Sequence, residues 1–155
     1  MQAVATRAKL SAVVISYNRA AIIGTCLRAL AFADEIIVVD KSSTDGTADI
    51  AAQLADRVIV VPWSPTVEAT REYAVAQCRH EWVLCLDDDE CLNAAAVLYI
   101  DQELRAPRAD IYFIPLRHYI LGSTTTAPIT GPRRMGVSSA RARCACRRPS
   151  MAGSL

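Results

Sequence analysis

Four short apolar runs, each cut off by polar side chains, constrain this chain more than any other feature: Ala12-Val13-Val14-Ile15, Ile36-Ile37-Val38-Val39, Val58-Ile59-Val60-Val61 and Trp82-Val83-Leu84-Cys85-Leu86. They are rich in β-branched residues and do not alternate with polar ones. That pattern fits strands covered on both faces and argues against a sheet with one wet side. Such strands need helices above and below them, and the intervening segments supply helical periodicity.

Between the first two runs Ile22, Ile23, Cys26, Leu27 and Leu30 recur at three- and four-residue steps, with Asn18 ahead of them as an N-cap, and predict an amphipathic helix. Thr47 to Leu54 predicts a second helix, with Thr44 or Asp45 as its cap and Gly46 easing the turn. A third spans Pro65 to Cys78, with Ser64 as cap and Pro65 at the first helical position. A fourth runs from Leu92 to Leu104, and Ile111 to Leu116 reads as a further strand. Strands alternating with helices of this length give an α/β fold, an open and mainly parallel sheet with helices on both faces. In such sheets ligands bind outside the carboxyl ends of the strands. Those ends carry Ser16-Tyr17-Asn18, Asp40, Pro62-Trp63-Ser64 and Asp87-Asp88-Asp89-Glu90, so polar and aromatic residues gather at one rim.

Composition narrows the field further. Hydrophobic residues make up 52% of the 155, enough for one sizeable core, and no apolar run is long enough to span a bilayer. The basic start from Met1 to Lys9 leads into an apolar stretch too short for a secretory signal, so an intracellular, cytoplasmic protein is expected. Residues 1–110 hold all 16 acidic residues and ten of the bases, whereas residues 111–155 hold seven Arg and no acid. The αβ pattern fills residues 1–122; residues 123–155 read as an irregular basic tail. Without interleaved aromatics or a helical stripe, that tail predicts no nucleic-acid partner. Cys26, Cys78, Cys85 and Cys91 lie in or beside apolar segments, where reduced thiols act as small hydrophobes, and the Cys144-x-Cys146 pair has no companion ligands at zinc-site spacing.

The sharpest chemical feature is Asp87-Asp88-Asp89-Glu90, because consecutive carboxylates at a strand end repel one another unless a cation or solvent relieves them. In an extended or turning segment Asp87 and Asp89 point the same way and can address one ligand together. Oxygen donors select a hard cation, Mg²⁺ or Mn²⁺, that bridges to substrate phosphates; the plainer alternative is a solvated acidic turn. Asp40, closing the second strand, can accept hydrogen bonds from a base N–H or sugar hydroxyls, or can simply cap the next turn.

Taken in order, Val13-Val14-Ile15-Ser16-Tyr17-Asn18, Ile37-Val38-Val39-Asp40-Lys41-Ser42-Ser43-Thr44-Asp45-Gly46-Thr47 and Leu84-Cys85-Leu86-Asp87-Asp88-Asp89-Glu90 resemble the nucleotide-sugar-binding half of family 2 glycosyltransferases of the Rossmann-like GT-A fold. With Ala33-Asp34-Glu35-Ile36 and Arg117-His118-Tyr119-Ile120-Leu121-Gly122, the chain is most similar to the lipopolysaccharide core β-glucosyltransferase type. The resemblance covers about residues 11–122. It implies transfer of a sugar from a UDP-sugar to a glycan or lipid-linked acceptor, at the cytoplasmic face of a membrane with which the protein associates peripherally. It implies that Tyr17, Asn18, Asp40, Arg71 and Asp87 bind the donor, with Tyr17 near the base, Asp40 accepting from it and Arg71 holding the base or phosphates. Asp87 and Asp89 would hold the Mg²⁺ or Mn²⁺.

Inverting transfer also needs an acceptor-side base, and no Asp or Glu follows Asp110. His118 has a suitable pKa but reads more simply as structural. The basic ending after Gly122 therefore looks like a truncated or frame-shifted product, with the catalytic base unassigned. A non-catalytic nucleotide-binding remnant or regulatory domain of the same fold is the alternative. A dinucleotide-binding oxidoreductase is not, because Ser16-Tyr17-Asn18-Arg19-Ala20 has no glycine.

Overall fold

The structure, a computed structural model, describes residues 6–114 in full and the backbone of residues 117–120, 123–126 and 143–147. In chain order the elements are β1 (Leu10–Ser16), α1 (Ile23–Ala29), β2 (Glu35–Asp40), α2 (Thr47–Ala52), β3 (Arg57–Val60), α3 (Glu68–Ala76), β4 (Trp82–Asp87), α4 (Ala94–Arg105), β5 (Ile111–Ile114), β6 (Arg117–Ile120), β7 (Ser123–Thr126) and β8 (Arg143–Arg147). The main sheet has the order β3-β2-β1-β4-β8-β5, parallel through β4 and antiparallel on both sides of β8. A separate pair is formed by β6 and β7.

The lack of alternation in the strands has a direct structural cause. Leu10, Ala12 and Val14 of β1, Ile36 and Val38 of β2, and Trp82, Leu84 and Leu86 of β4 face one side, against Ile23, Cys26 and Leu27 of α1, Ala51 of α2, and Ile100 and Leu104 of α4. The intervening Val13, Ile15, Ile37, Val39 and Val83 face the other, against Ala74 of α3 and Cys78 beyond its end. Successive strand side chains point to opposite faces, so the apolar stretches of β1, β2 and β4, covered on both, have no need to alternate; β3, at the sheet edge, is only partly covered, and Val60 is exposed.

Several local expectations are corrected. Asn18 does not cap α1: it has φ of 53°, α1 begins five residues later, and its N-cap is Ile22. An Asn tolerates the left-handed region and its short amide finds a backbone partner elsewhere. The third helix starts at Glu68 rather than Pro65, because the Ser64 hydroxyl donates to the carbonyl of Thr66, 2.8 Å away, and holds a loop there. The fourth starts later than expected, with the Asn93 side chain accepting from the N–H of Ala96 at 2.8 Å. Gly46, at φ of 88°, precedes α2. Cys26 and Cys78 are core residues, and burial pushes the Cys26 thiol up to about 12, but Cys91 is exposed.

Residues 143–147 fall within the segment expected to be an irregular tail, yet they form β8 between β4 and β5. The chain returns from α4 to place β5 one strand's width away from β4. Both would otherwise present unpaired backbone groups, and a single inserted strand satisfies both edges. Residues 115–116 of the expected fifth strand, and the side chains of His118, Cys144 and Cys146, lie outside the described residues.

Candidate functional site

From β1 the chain steps outward through β2 to β3, then crosses back to place β4 on the other side of β1. Between β1 and β4 the direction of winding reverses, and this is the switch point at whose carboxyl-end crevice open α/β sheets bind their ligands. Register puts both key carboxylates beside this crevice: Ser16 pairs with Asp40 on one side and Ile15 with Asp87 on the other.

The loops after β1 and β2 are laced together. Asp40, 1% exposed, accepts the N–H of Ser43 at 2.8 Å and the Ser43 hydroxyl. That hydroxyl oxygen in turn accepts the N–H of Asn18 at 2.8 Å, and the Asn18 side-chain oxygen accepts the N–H of Thr44 at 2.8 Å. Further along, the Thr47 hydroxyl accepts the N–H of Arg19 at 2.7 Å and donates to Asp45, whose other oxygen accepts the N–H of Ala20 at 2.9 Å. These contacts, the Thr47 bond foremost, hold the Asp45 carboxyl below its usual range. The Ser-Ser-Thr-Asp-Gly-Thr run is thus a clasp that fixes both loops.

The acidic run divides as its alternation suggests. Asp88 turns inward, where the Ser16 hydroxyl donates to it at 2.8 Å and Arg19 approaches to 3.3 Å. Burial pushes its carboxyl up, against the pull of Ser16, Arg19 and the N–H of Tyr17. Asp89 is exposed. Glu90 closes the turn on itself: its N–H donates to the Asp87 carbonyl at 3.1 Å, and its carboxylate accepts the Asp87 N–H at 3.0 Å. Asp87 receives Arg71 Nη2 from α3 at 3.1 Å. Tyr17 is exposed at the rim, with its ring centroid 6.3 Å from that of Trp63.

Asp87 and Arg71 are therefore brought together, with Asp40 and Tyr17 across the end of β1. Asn18 is tied into the loop clasp. The structure adds four residues to which the sequence alone assigns no role: Asp88, Arg19, Lys41 and Trp63. Inward alternation within the acidic run was a signal for Asp88; for Lys41 there was none.

Asp87 and Asp89 offer oxygen donors only, which suits a hard divalent cation. Among the described residues no three or more His, Cys, Asp or Glu side chains cluster closely enough to hold a metal alone. Two carboxylates of the turn would supply part of the ligand set for such a cation.

A parallel sheet wound in this order, with a polar and acidic rim at its switch point, defines an open α/β domain of the Rossmann-like kind. The glycosyl transferase family 2 model matches residues 11–148, and the chain belongs to that family. The lipopolysaccharide core biosynthesis glycosyltransferase LpsC of Rhizobium meliloti is 30% identical over 131 residues, 81% of this chain and 48% of LpsC. The structure of S. aureus TarS 1-349 in complex with UDP is similar at 29% identity and a TM-score of 0.54, over 66% of this chain and 34% of that one. Glucosyl-3-phosphoglycerate synthase from Mycobacterium tuberculosis, in complex with Mn²⁺, UDP and glucosyl-3-phosphoglycerate, shares the fold at 23% identity and a TM-score of 0.56, over 67% of this chain and 42% of its own. The chain spans less than half the length of each of these proteins.

Proposed function

We propose that this chain forms the donor-binding unit of a glycosyltransferase that moves a sugar from a nucleotide diphosphate, a UDP-sugar, to a glycan or lipid-linked acceptor in lipopolysaccharide synthesis. One observation carries the reading: Arg71 of α3 and Asp87 at the end of β4 meet 3.1 Å apart beside the switch point, where a diphosphate would lie. The UDP complex of TarS and the lipopolysaccharide role in the name of LpsC support the donor and the pathway.

In this reading Asp87 and Asp89 hold a divalent cation, Mg²⁺ or Mn²⁺, as the Mn²⁺ and UDP bound to a protein of the same fold suggest. When bound, that cation neutralises the leaving diphosphate while the anomeric carbon gains positive character. Arg71 offsets the charge of Asp87 and donates to a phosphate oxygen. Asp88, held by Ser16 and Arg19, anchors the turn from behind so that its neighbours keep their aim. Tyr17 contacts the base. Asp40 acts chiefly through Ser43, since its described bonds fix the loop. In this reading the protein works in the cytoplasm, associated peripherally with the inner face of the membrane that carries its lipid-linked acceptor.

The alternative reading is a domain of the same fold that binds nucleotide without turnover. Release of UDP from UDP-glucose in the presence of a core oligosaccharide separates the two. The donor site itself is tested by calorimetry of UDP with and without Mn²⁺: metal-dependent binding is expected, and its absence refutes the proposal.

A further inference from the structure

Lys41 directly follows β2 and is 5% exposed. Its ammonium donates to the carbonyl of Ser64 and, at 3.1 Å, to that of Thr66. It also lies 6.0 Å from the centroid of the Trp63 ring. The neighbouring Ser42 hydroxyl donates to the Val61 carbonyl at 2.8 Å. The segment from Val61 to Thr66, between β3 and α3, is therefore pinned at both ends by two consecutive residues of a different loop. Trp63, at its centre, is 56% exposed.

Burying an ammonium is costly unless its donors are met, and here they are met by carbonyls and an indole face rather than by a described carboxylate. Such an arrangement does little to stabilise the core, because what it orders is a surface loop. Its consequence is the fixed placement of one large exposed ring against another, with Trp63 and Tyr17 tilted at 57° to each other. Two exposed aromatic faces set at an angle form a ledge with a floor and a wall, suited to a flat π-ligand.

We propose that Trp63 contacts the nucleobase of the donor, forming with Tyr17 a two-ring ledge for it, and that Lys41 is the positioning residue that holds Trp63 in place. The inference rests on the donor reading above and adds to it the residues that read the base. It separates nucleoside recognition, at the Tyr17 and Trp63 rings, from diphosphate recognition, at Arg71 and the acidic turn.

Calorimetry on the full chain with Mn²⁺, using UDP and inorganic pyrophosphate as parallel probes, tests it. Trp63→Ala is expected to weaken UDP on the order of tenfold, the scale of one lost base-stacking contact, and to leave pyrophosphate unchanged. Lys41→Met is expected to reproduce that selective loss, and Lys41→Arg to restore part of it, a pattern that a purely structural lysine would not give. UDP is expected to quench the emission of the wild type but not of Trp63→Ala, whose remaining Trp82 is buried. Equal UDP affinity in the wild type and Trp63→Ala overturns the inference while leaving the donor reading intact, as does a matching loss for pyrophosphate. Failure of the wild type to bind UDP overturns both. If Lys41→Met does not fold, Trp63→Ala still decides, because its side chain lies on an exposed loop.

Discussion

Arg71 Nη2 and Asp87 Oδ1 lie 3.1 Å apart although α3 and β4 are separate elements, and each side chain is about a third exposed, at 33% and 31%. A pair this accessible to water stabilises a fold by about 0–1 kcal/mol. Its placement therefore bears on the site more than on the fold: it sets a guanidinium at the mouth of the crevice and tempers the charge of the first carboxylate in the acidic turn.

Replacing Arg71 should accordingly separate binding from stability. Arg71→Ala is expected to leave the melting temperature nearly unchanged and to weaken UDP on the order of tenfold, the scale of a lost charge-assisted hydrogen bond. Calorimetry beside a thermal melt reads both. A large loss of stability with intact affinity would make the pair structural.

Behind the turn the balance is reversed. Ser16, 1% exposed, is a described donor to the inward-facing Asp88, and Ser16→Ala would leave a buried carboxylate oxygen short of a partner at a cost of about 1–3 kcal/mol. Urea denaturation should show that loss. Ser16→Thr, which keeps the hydroxyl, should recover a share of it.

Glu35 lies at the opposite end of the strands and predicts acid sensitivity. Burial alone would raise its carboxyl, but the N–H of Arg79, the Ser11 hydroxyl and the guanidiniums of Arg57 and Arg79 together pull it below the usual range. Because the unfolded chain then binds the proton more readily, the stabilisation is complete above the ordinary carboxylate value of about 4.3 and fades as pH falls through the lower folded value. At neutral pH Glu35→Gln should destabilise by about 1.5–3 kcal/mol, the scale of lost hydrogen bonds to a charged group, since the guanidiniums left behind are 33% and 66% exposed and stay solvated. Melts at descending pH should show the gap between wild type and variant closing; a constant gap would contradict the assignment.

Gly46 predicts a purely backbone effect. Its φ is 88°, and a Cβ there would meet nothing within 4 Å. Gly46→Ala should therefore cost about 1 kcal/mol through left-handed strain alone, measured by denaturation, with no change attributable to packing.

The strands were legible because cover by helices on both faces leaves their central stretches apolar, and the rim was legible because polar, charged or aromatic residues follow each run. Other strand ends were not: Ser16 and Glu35 are polar yet buried in the sheet, where register rather than hydropathy decides membership. Asn18 and Ser64 look like helix caps in sequence, but each binds within a loop, a choice settled by which backbone N–H or carbonyl tertiary structure brings near. The strand at 143–147 was invisible because Cys144-Ala145-Cys146 is too short an apolar run to signal anything, and only the gap between β4 and β5 calls for it. Lys41 was passed over for a related reason: its partners, the carbonyls of Ser64 and Thr66, are backbone groups that any sequence would supply.

The account turns on whether the acidic turn grips a metal that also touches the nucleotide. A crystal structure grown with manganese and uridine diphosphate measures this directly through the anomalous signal of the ion. The account predicts one manganese site bridging Asp87, Asp89 and the diphosphate; well-ordered nucleotide in the crevice with the metal absent or bound elsewhere would contradict it.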